Sequence, residues 1–193
     1  MRPQSDEFPA YIERAVVVTL QEGIDAGRAE LQPIAHAPLE IARRPSLSRE
    51  LRCRVFKRDH FMCRYCGGKT ILTPVMELLA RLYPDIFPFE SDAWRGGVTH
   101  PAFAARSPMV DHIVPGRLGG DWTAIDNLAT ACNPCNAIKA DFTLEQLGWR
   151  QRPVPATDWA GLTEHYAALW QRAGRPDQQR HLAWFRDLDI VAA

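Results

Sequence analysis

The chain has no long apolar run. Nothing in it approaches the about eighteen consecutive apolar residues that a membrane span needs, and this excludes a transmembrane reading. The opening Met-Arg-Pro-Gln-Ser-Asp-Glu is not followed by the apolar stretch of a secretory leader, so the expectation is a cytoplasmic protein with no membrane partner. Internal repeats and low-complexity tracts are also missing, which sets aside solenoids and disordered arrays. Net charge is lacking too: 23 Lys and Arg balance 23 Asp and Glu, and a neutral total speaks against a nucleic-acid partner. Cysteine is scarce, with five in 193 residues, and where thiols stay reduced a paired pattern reads as metal binding before disulfide. What is present is an ordinary globular composition, 46% apolar and 24% charged, in a length that suits one domain with extensions.

Charge is absent only on average. Residues 43–69 hold nine Lys and Arg (43, 44, 49, 52, 54, 57, 58, 64 and 69) against Glu50 and Asp59, whereas residues 1–42 carry three Arg against seven acids. A basic block beside an acidic one can form a phosphate-binding face on a neutral protein, although the same block also describes a solvated helix face.

Along the chain, Ile12, Val16, Leu20 and Ile24 recur every four residues and predict a helix over 5–27 ending at Gly27, against the strand preference of Val16-Val17-Val18. Pro33, Pro38 and Pro45 mark 28–45 as an extended connector. Ser46 or Ser48 can cap a helix running to about Arg58, with Leu51 and Val55 facing inward. Residues 71–108 form an insertion. Pro74 starts a short helix there, ended by Tyr83-Pro84, and 84–108, with Pro88, Trp94, Gly96, Gly97, Pro101 and Pro108, reads as an ordered loop. Val110–Pro115 and Asn127–Thr130 read as the two strands of a hairpin around Arg117–Asp121, and Asn136–Lys139 begins a helix. The tail, 143–193, predicts two helices, one starting near Thr157-Asp158 and one carrying Leu182, Phe185 and Leu188, with Gly174–Pro176 between them. Trp149, Trp159, Trp170 and Trp184 read as core residues rather than base-stacking platforms.

Two constellations carry chemistry. Cys63-x2-Cys66 and Cys132-x2-Cys135 are matched half-sites for one tetrahedral, structural zinc, and Cys53 is left over as a small helix-face residue. Between the pairs lies Asp111-His112 in an apolar run, followed by Asn127 and Asn136. Phosphodiester hydrolysis needs a base to activate water and a cation to neutralise the phosphate. Histidine suits the first role, and a carboxylate with an amide oxygen suits Mg²⁺ or Mn²⁺ in the second. Strand alternation sends adjacent side chains to opposite faces, so both can act on one phosphate only where the strand ends or is distorted. Taken alone, an Asp-His pair in a strand also describes a satisfied structural histidine.

The stretch from about Arg52 to Asp141 resembles the HNH nuclease family. The resemblance rests on Val55-Phe56-Lys57-Arg58-Asp59 ahead of Cys63-Arg64-Tyr65-Cys66, on Asp111-His112-Ile113-Val114-Pro115 and Gly119-Gly120, and on Asn127-Leu128 with Cys132 to Lys139. It implies an α+β fold: a ββα-metal core with zinc knuckles over 46–142, interrupted by the 71–108 insertion, between an N-terminal extension (1–45) and a C-terminal helical extension (143–193). It further implies His112 as general base, Asp111 and Asn136 as ligands of a catalytic Mg²⁺ or Mn²⁺, and Asn127 as the residue that fixes the loop and orients the base. Asn136 stands where many members have a histidine, which favours an oxygen-rich site. Lys139, Arg117, Arg58 and Arg64 are candidate phosphate contacts. The resulting expectation is a metal-dependent endonuclease acting on double-stranded DNA, with a homodimer or two separate events needed if both strands are cut. The alternative is a zinc-scaffolded nucleic-acid-binding module without cleavage.

Overall fold

The structure, a computed structural model, describes residues 8–35, 45–90 and 98–191. Arg43 and Arg44 of the basic block, together with Pro38, Trp94, Gly96 and Gly97, lie outside the described residues. The chain divides into two compact units, Met1–Arg44 and Pro45–Ala193.

In the first unit, helices α1 (Phe8–Glu22) and α2 (Ile24–Leu31) pack as a hairpin. The expected single helix over 5–27 breaks at Gly23, whose φ of +104° only glycine adopts readily. Gly27 is not a terminus but an interior residue of α2, crossing α1 beside Thr19. Helix also continues to Leu31, followed by a 3-10 turn over Gln32–Ile34, where an extended connector was expected. The periodic stripe does not form a core: Ile12 and Val16 are exposed, and Leu20 and Ile24 are 82% and 80% exposed. Among the described residues no helix is long and apolar enough to cross a membrane.

The second unit is mixed and helix-rich, with a small two-stranded antiparallel sheet. Helix α3 (Arg49–Arg58) starts where Ser48 Oγ accepts the Leu51 N–H, and it buries Cys53, Val55 and Phe56. Helix α4 (Thr73–Leu82) has Pro74 in its first turn and buries Val75 and Leu78. The stretch read as loop contains a short helix, α5 (Pro101–Arg106), which His100 Nδ1 caps by accepting the Ala102 N–H, and its Phe103 is fully buried. Strands β1 (Pro108–His112) and β2 (Leu128–Cys132) pair from Pro108↔Cys132 to His112↔Leu128. Both lie nearer the cysteines than the sequence pattern suggests, and Cys132 is the last residue of β2. Helix α6 (Asn133–Lys139) follows at once, because Pro134 suits a first turn; Cys135 therefore sits inside a helix rather than ahead of one.

Two tail helices complete the unit, α7 (Tyr166–Arg172) and α8 (Gln178–Leu188). The first starts later than Thr157 because Gly161 and Leu162 take left-handed φ values of 68° and 66°. The main core joins Cys53, Phe56 and Phe61 to Leu72, Val75 and Leu78 of the insertion and to Tyr166, Trp170, Phe185 and Leu188 of the tail. A second cluster, Cys63, Tyr65, Ala129, Ala131 and Cys132, lies under the knuckles.

Candidate functional site

The cysteines are brought together first. The turn after α3 curls so that Cys63 N–H donates to the Gly68 carbonyl at 2.9 Å and Gly67 N–H to the Cys63 carbonyl at 2.8 Å. The Arg64 N–H donates to the Thr130 carbonyl at 2.8 Å and lays this knuckle against β2. The Sγ atoms of Cys63, Cys66, Cys132 and Cys135 all lie within 4.8 Å of one another. Cys66 and Cys132 sulfurs are 3.8 Å apart. Zn–S bonds of ~2.3 Å in a tetrahedron place sulfurs ~3.8 Å apart, so the cluster could hold a zinc ion. Burial pushes the Cys132 thiol up to about 11, reinforced by charge on Cys63 and Cys66, and it raises Cys135 as well. Cys66 moves the other way: burial raises it, but the Gly68 N–H and the neighbouring thiols donate to its sulfur and lower it overall. Binding a cation would draw all four to the thiolate form and release their protons.

A buried ion cluster fixes this scaffold to α3. Asp59 is fully buried and accepts from Arg58 Nε and Nη2, both at 2.9 Å, from Arg64 Nη1 at 2.7 Å and from the Thr130 N–H at 2.7 Å. Burial raises its carboxyl, and the bonds from Arg58, Thr130 and Arg64 outweigh this and hold it below the ordinary value. Arg58 also donates to the Ile125 carbonyl at 2.8 Å and the Leu128 carbonyl at 2.7 Å, and Arg64 to the Arg152 carbonyl at 2.7 Å. These two arginines, expected on phosphates, are engaged inside the protein.

Asp111 and His112 are the last two residues of β1, paired with Ala129 and Leu128, so the strand ends at His112. The strand is not distorted, and the two side chains meet different partners. Asp111 Oδ2 accepts from Tyr65 Oη and from Lys139 Nζ, the latter at 3.0 Å. Lys139 is 0% exposed and also donates to the His112 carbonyl at 2.7 Å. Lys139, expected as a phosphate contact, is buried instead, and its ammonium pairs with a buried carboxylate, which offsets the cost of burying either charge. His112 is 5% exposed, and its Nε2 lies 2.9 Å from the Trp122 carbonyl, with the Trp122 ring edge-on at 5.0 Å. A carbonyl only accepts, so Nε2 carries the hydrogen. In the neutral ring Nδ1 is then an acceptor, and it is buried without a hydrogen-bond partner.

The loop between the strands is tied by Asn127. Its Oδ1 accepts the Val114 N–H at 2.9 Å, and its Nδ2 donates to the carbonyls of Val114 at 3.0 Å and Asp121 at 2.8 Å. Gly120 allows this closure, because a Cβ there would stand 1.9 Å from the Val114 carbonyl oxygen. Asp121 accepts the N–H groups of Thr123 and Ala124, which lower its carboxyl, and so shapes the turn that presents Trp122. Asn136 is half-buried on α6, three residues before Lys139. No direct hydrogen bond joins Asp111, His112 and Asn136. Arg117 is exposed and pairs loosely with Asp141 at 3.3 Å.

Sequence reasoning missed Tyr65 and Trp122. Tyr65 stood inside the first knuckle, and its one signal was a hydroxyl beside metal ligands. Trp122 acts through its backbone, which no side-chain pattern reveals. No curated protein and no solved structure matches the chain. Residues 102–142, which run from α5 through β1, the Asn127 loop and β2 to just beyond α6, match the family model of the HNH endonuclease.

Proposed function

We propose that the protein is a metal-dependent endonuclease that hydrolyses DNA phosphodiester bonds, with β1, β2 and α6 forming a ββα-metal unit on a Cys63, Cys66, Cys132 and Cys135 zinc. The observation that carries the reading is the match of residues 102–142 to the HNH endonuclease model, which spans His112 with its orphaned Nδ1. An unpaired buried acceptor costs about 1–3 kcal/mol, a penalty that calls for a role in the site. As a base, Nδ1 takes a proton from water; the water oxygen bonds to phosphorus as the bond to the leaving 3′ oxygen breaks. Asp111 and Asn136 supply a carboxylate and an amide oxygen, hard donors of the type that Mg²⁺ or Mn²⁺ takes along with phosphate oxygens and water. Such an ion, when bound, neutralises charge on the phosphate and on the leaving oxygen. Asn127 holds the loop that presents the Trp122 carbonyl, and that carbonyl sets the His112 tautomer. Arg117 stays in the proposal as a phosphate contact.

The test is nicking of supercoiled plasmid with Mg²⁺ or Mn²⁺. Wild type is expected to nick, and His112→Ala to lose at least about 100-fold in rate, the scale of general base catalysis. A variant as fast as wild type would remove His112 from the mechanism.

One observation favours a second reading, a zinc-scaffolded nucleic-acid-binding module without cleavage: Asp111 is already neutralised by Lys139. Salt-dependent DNA binding with no cutting under any divalent ion would support that alternative.

A further inference from the structure

We propose that Arg58 is a positioning residue for His112, acting through the turn that carries Asn127; the inference rests on the reading of His112 as the base. The guanidinium of Arg58 makes four hydrogen bonds to three partners set by the fold. Nε and Nη2 grip the two oxygens of Asp59, both at 2.9 Å. Nη1 donates to the Ile125 carbonyl at 2.8 Å, and Nη2 donates to the Leu128 carbonyl at 2.7 Å. Ile125 opens the 3-10 turn in which Asn127 stands, and Leu128 follows it. Asn127 in turn holds Val114 and the Asp121 carbonyl, and the residue after Asp121 offers its own carbonyl to His112 Nε2. Every step from the α3 terminus to the imidazole is thus a single hydrogen bond or a peptide unit.

Asp59 is what makes the relay stiff. Its carboxylate is fully buried and receives Arg64 Nη1 and the Thr130 N–H as well, so the plane of the Arg58 guanidinium is set from the β2 side. A fork with fixed geometry can hold two carbonyls three peptide units apart; a single ammonium cannot reach both while keeping Asp59. Arg58 is still 31% exposed, so a phosphate could approach it from outside. Phosphate binding is therefore the competing outcome.

The experiment compares full-length wild type, Arg58→Gln and Arg58→Lys in plasmid nicking with Mn²⁺ and in ¹⁵N–¹H spectra of histidine-labelled protein. Positioning predicts a kcat about 10- to 100-fold lower with KM within about twofold. It also predicts that the His112 resonances move from one Nε2–H tautomer toward a mixture, seen without metal or DNA. Arg58→Lys keeps the charge beside Asp59, and it carries the test should Arg58→Gln fold poorly. A raised KM with unchanged kcat and an unchanged His112 spectrum would overturn the proposal in favour of a phosphate contact. No change in any readout would overturn it outright. If His112→Ala itself retains full rate, the base assignment falls, while the tautomer spectra still decide whether Arg58 orients the ring.

Discussion

At the residue scale the site depends on carboxylates whose charges are answered inside the protein. Asp59 is the clearest, because it is fully buried and bonded by two arginines and a backbone N–H. Its folded pKa lies below the ordinary value of about 3.9, so the stability it contributes is complete above that value and is lost as pH falls through the lower folded value. Asp59→Asn keeps the shape and removes the charge, leaving Arg58 and Arg64 unanswered. The expected loss is about 3 kcal/mol at pH 7, the low end for a broken buried pair because Arg58 is 31% exposed. Urea unfolding at pH 7 measures it. The same titration carried below pH ~4 should show wild type losing stability more steeply than the variant, and parallel curves would mean that Asp59 does not titrate with folding. None of this was legible from the basic block. Arg58 and Arg64 look like surface charge in a run of cations, and what draws them inward is a carboxylate whose burial depends on β2, some seventy positions downstream in sequence, through the Thr130 N–H.

At the level of elements, the hairpin and the knuckles define each other. The first cysteine pair sits on a turn after α3, and the second spans the end of β2 and the first turn of α6. Their meeting was legible because ligand spacing is local: two residues between thiols fit one ion whatever surrounds them. Element boundaries were less so. Pro134 moves the start of α6 ahead of Cys135, and pairing with Pro108 extends β2 to Cys132. One zinc per chain is expected by elemental analysis. Stripping it with a chelator should lower the melting temperature and stop cleavage even with Mg²⁺ present, because the β2–α6 junction that carries Asn136 and Lys139 loses its anchor. Zinc added back should restore both, and a stripped protein with an unchanged melt would show that the cluster stabilises nothing.

Over the whole molecule, periodicity identified faces but not their partners. The stripe Ile12, Val16, Leu20 and Ile24 predicted a helix, yet in its own unit these side chains stand exposed, with Ala15 the buried apolar residue of α1. Leu72, Val75 and Leu78 from the insertion, and Tyr166, Trp170, Phe185 and Leu188 from the tail, share one core with Cys53 and Phe56 of α3. A core built from distant segments cannot be read from any one of them. The two ends of the chain should therefore respond differently to truncation. Residues 45–193 contain all three apolar clusters, so deleting 1–44 is expected to leave a cooperative thermal unfolding transition and near-ultraviolet circular dichroism close to wild type. Deleting 143–193 removes four large buried side chains, each worth about 2–5 kcal/mol, against a total stability of about 5–15 kcal/mol. That truncation should abolish the transition. A folded 1–142 fragment would show that the helical tail is dispensable and that α3, α4 and the zinc hairpin close a core without it.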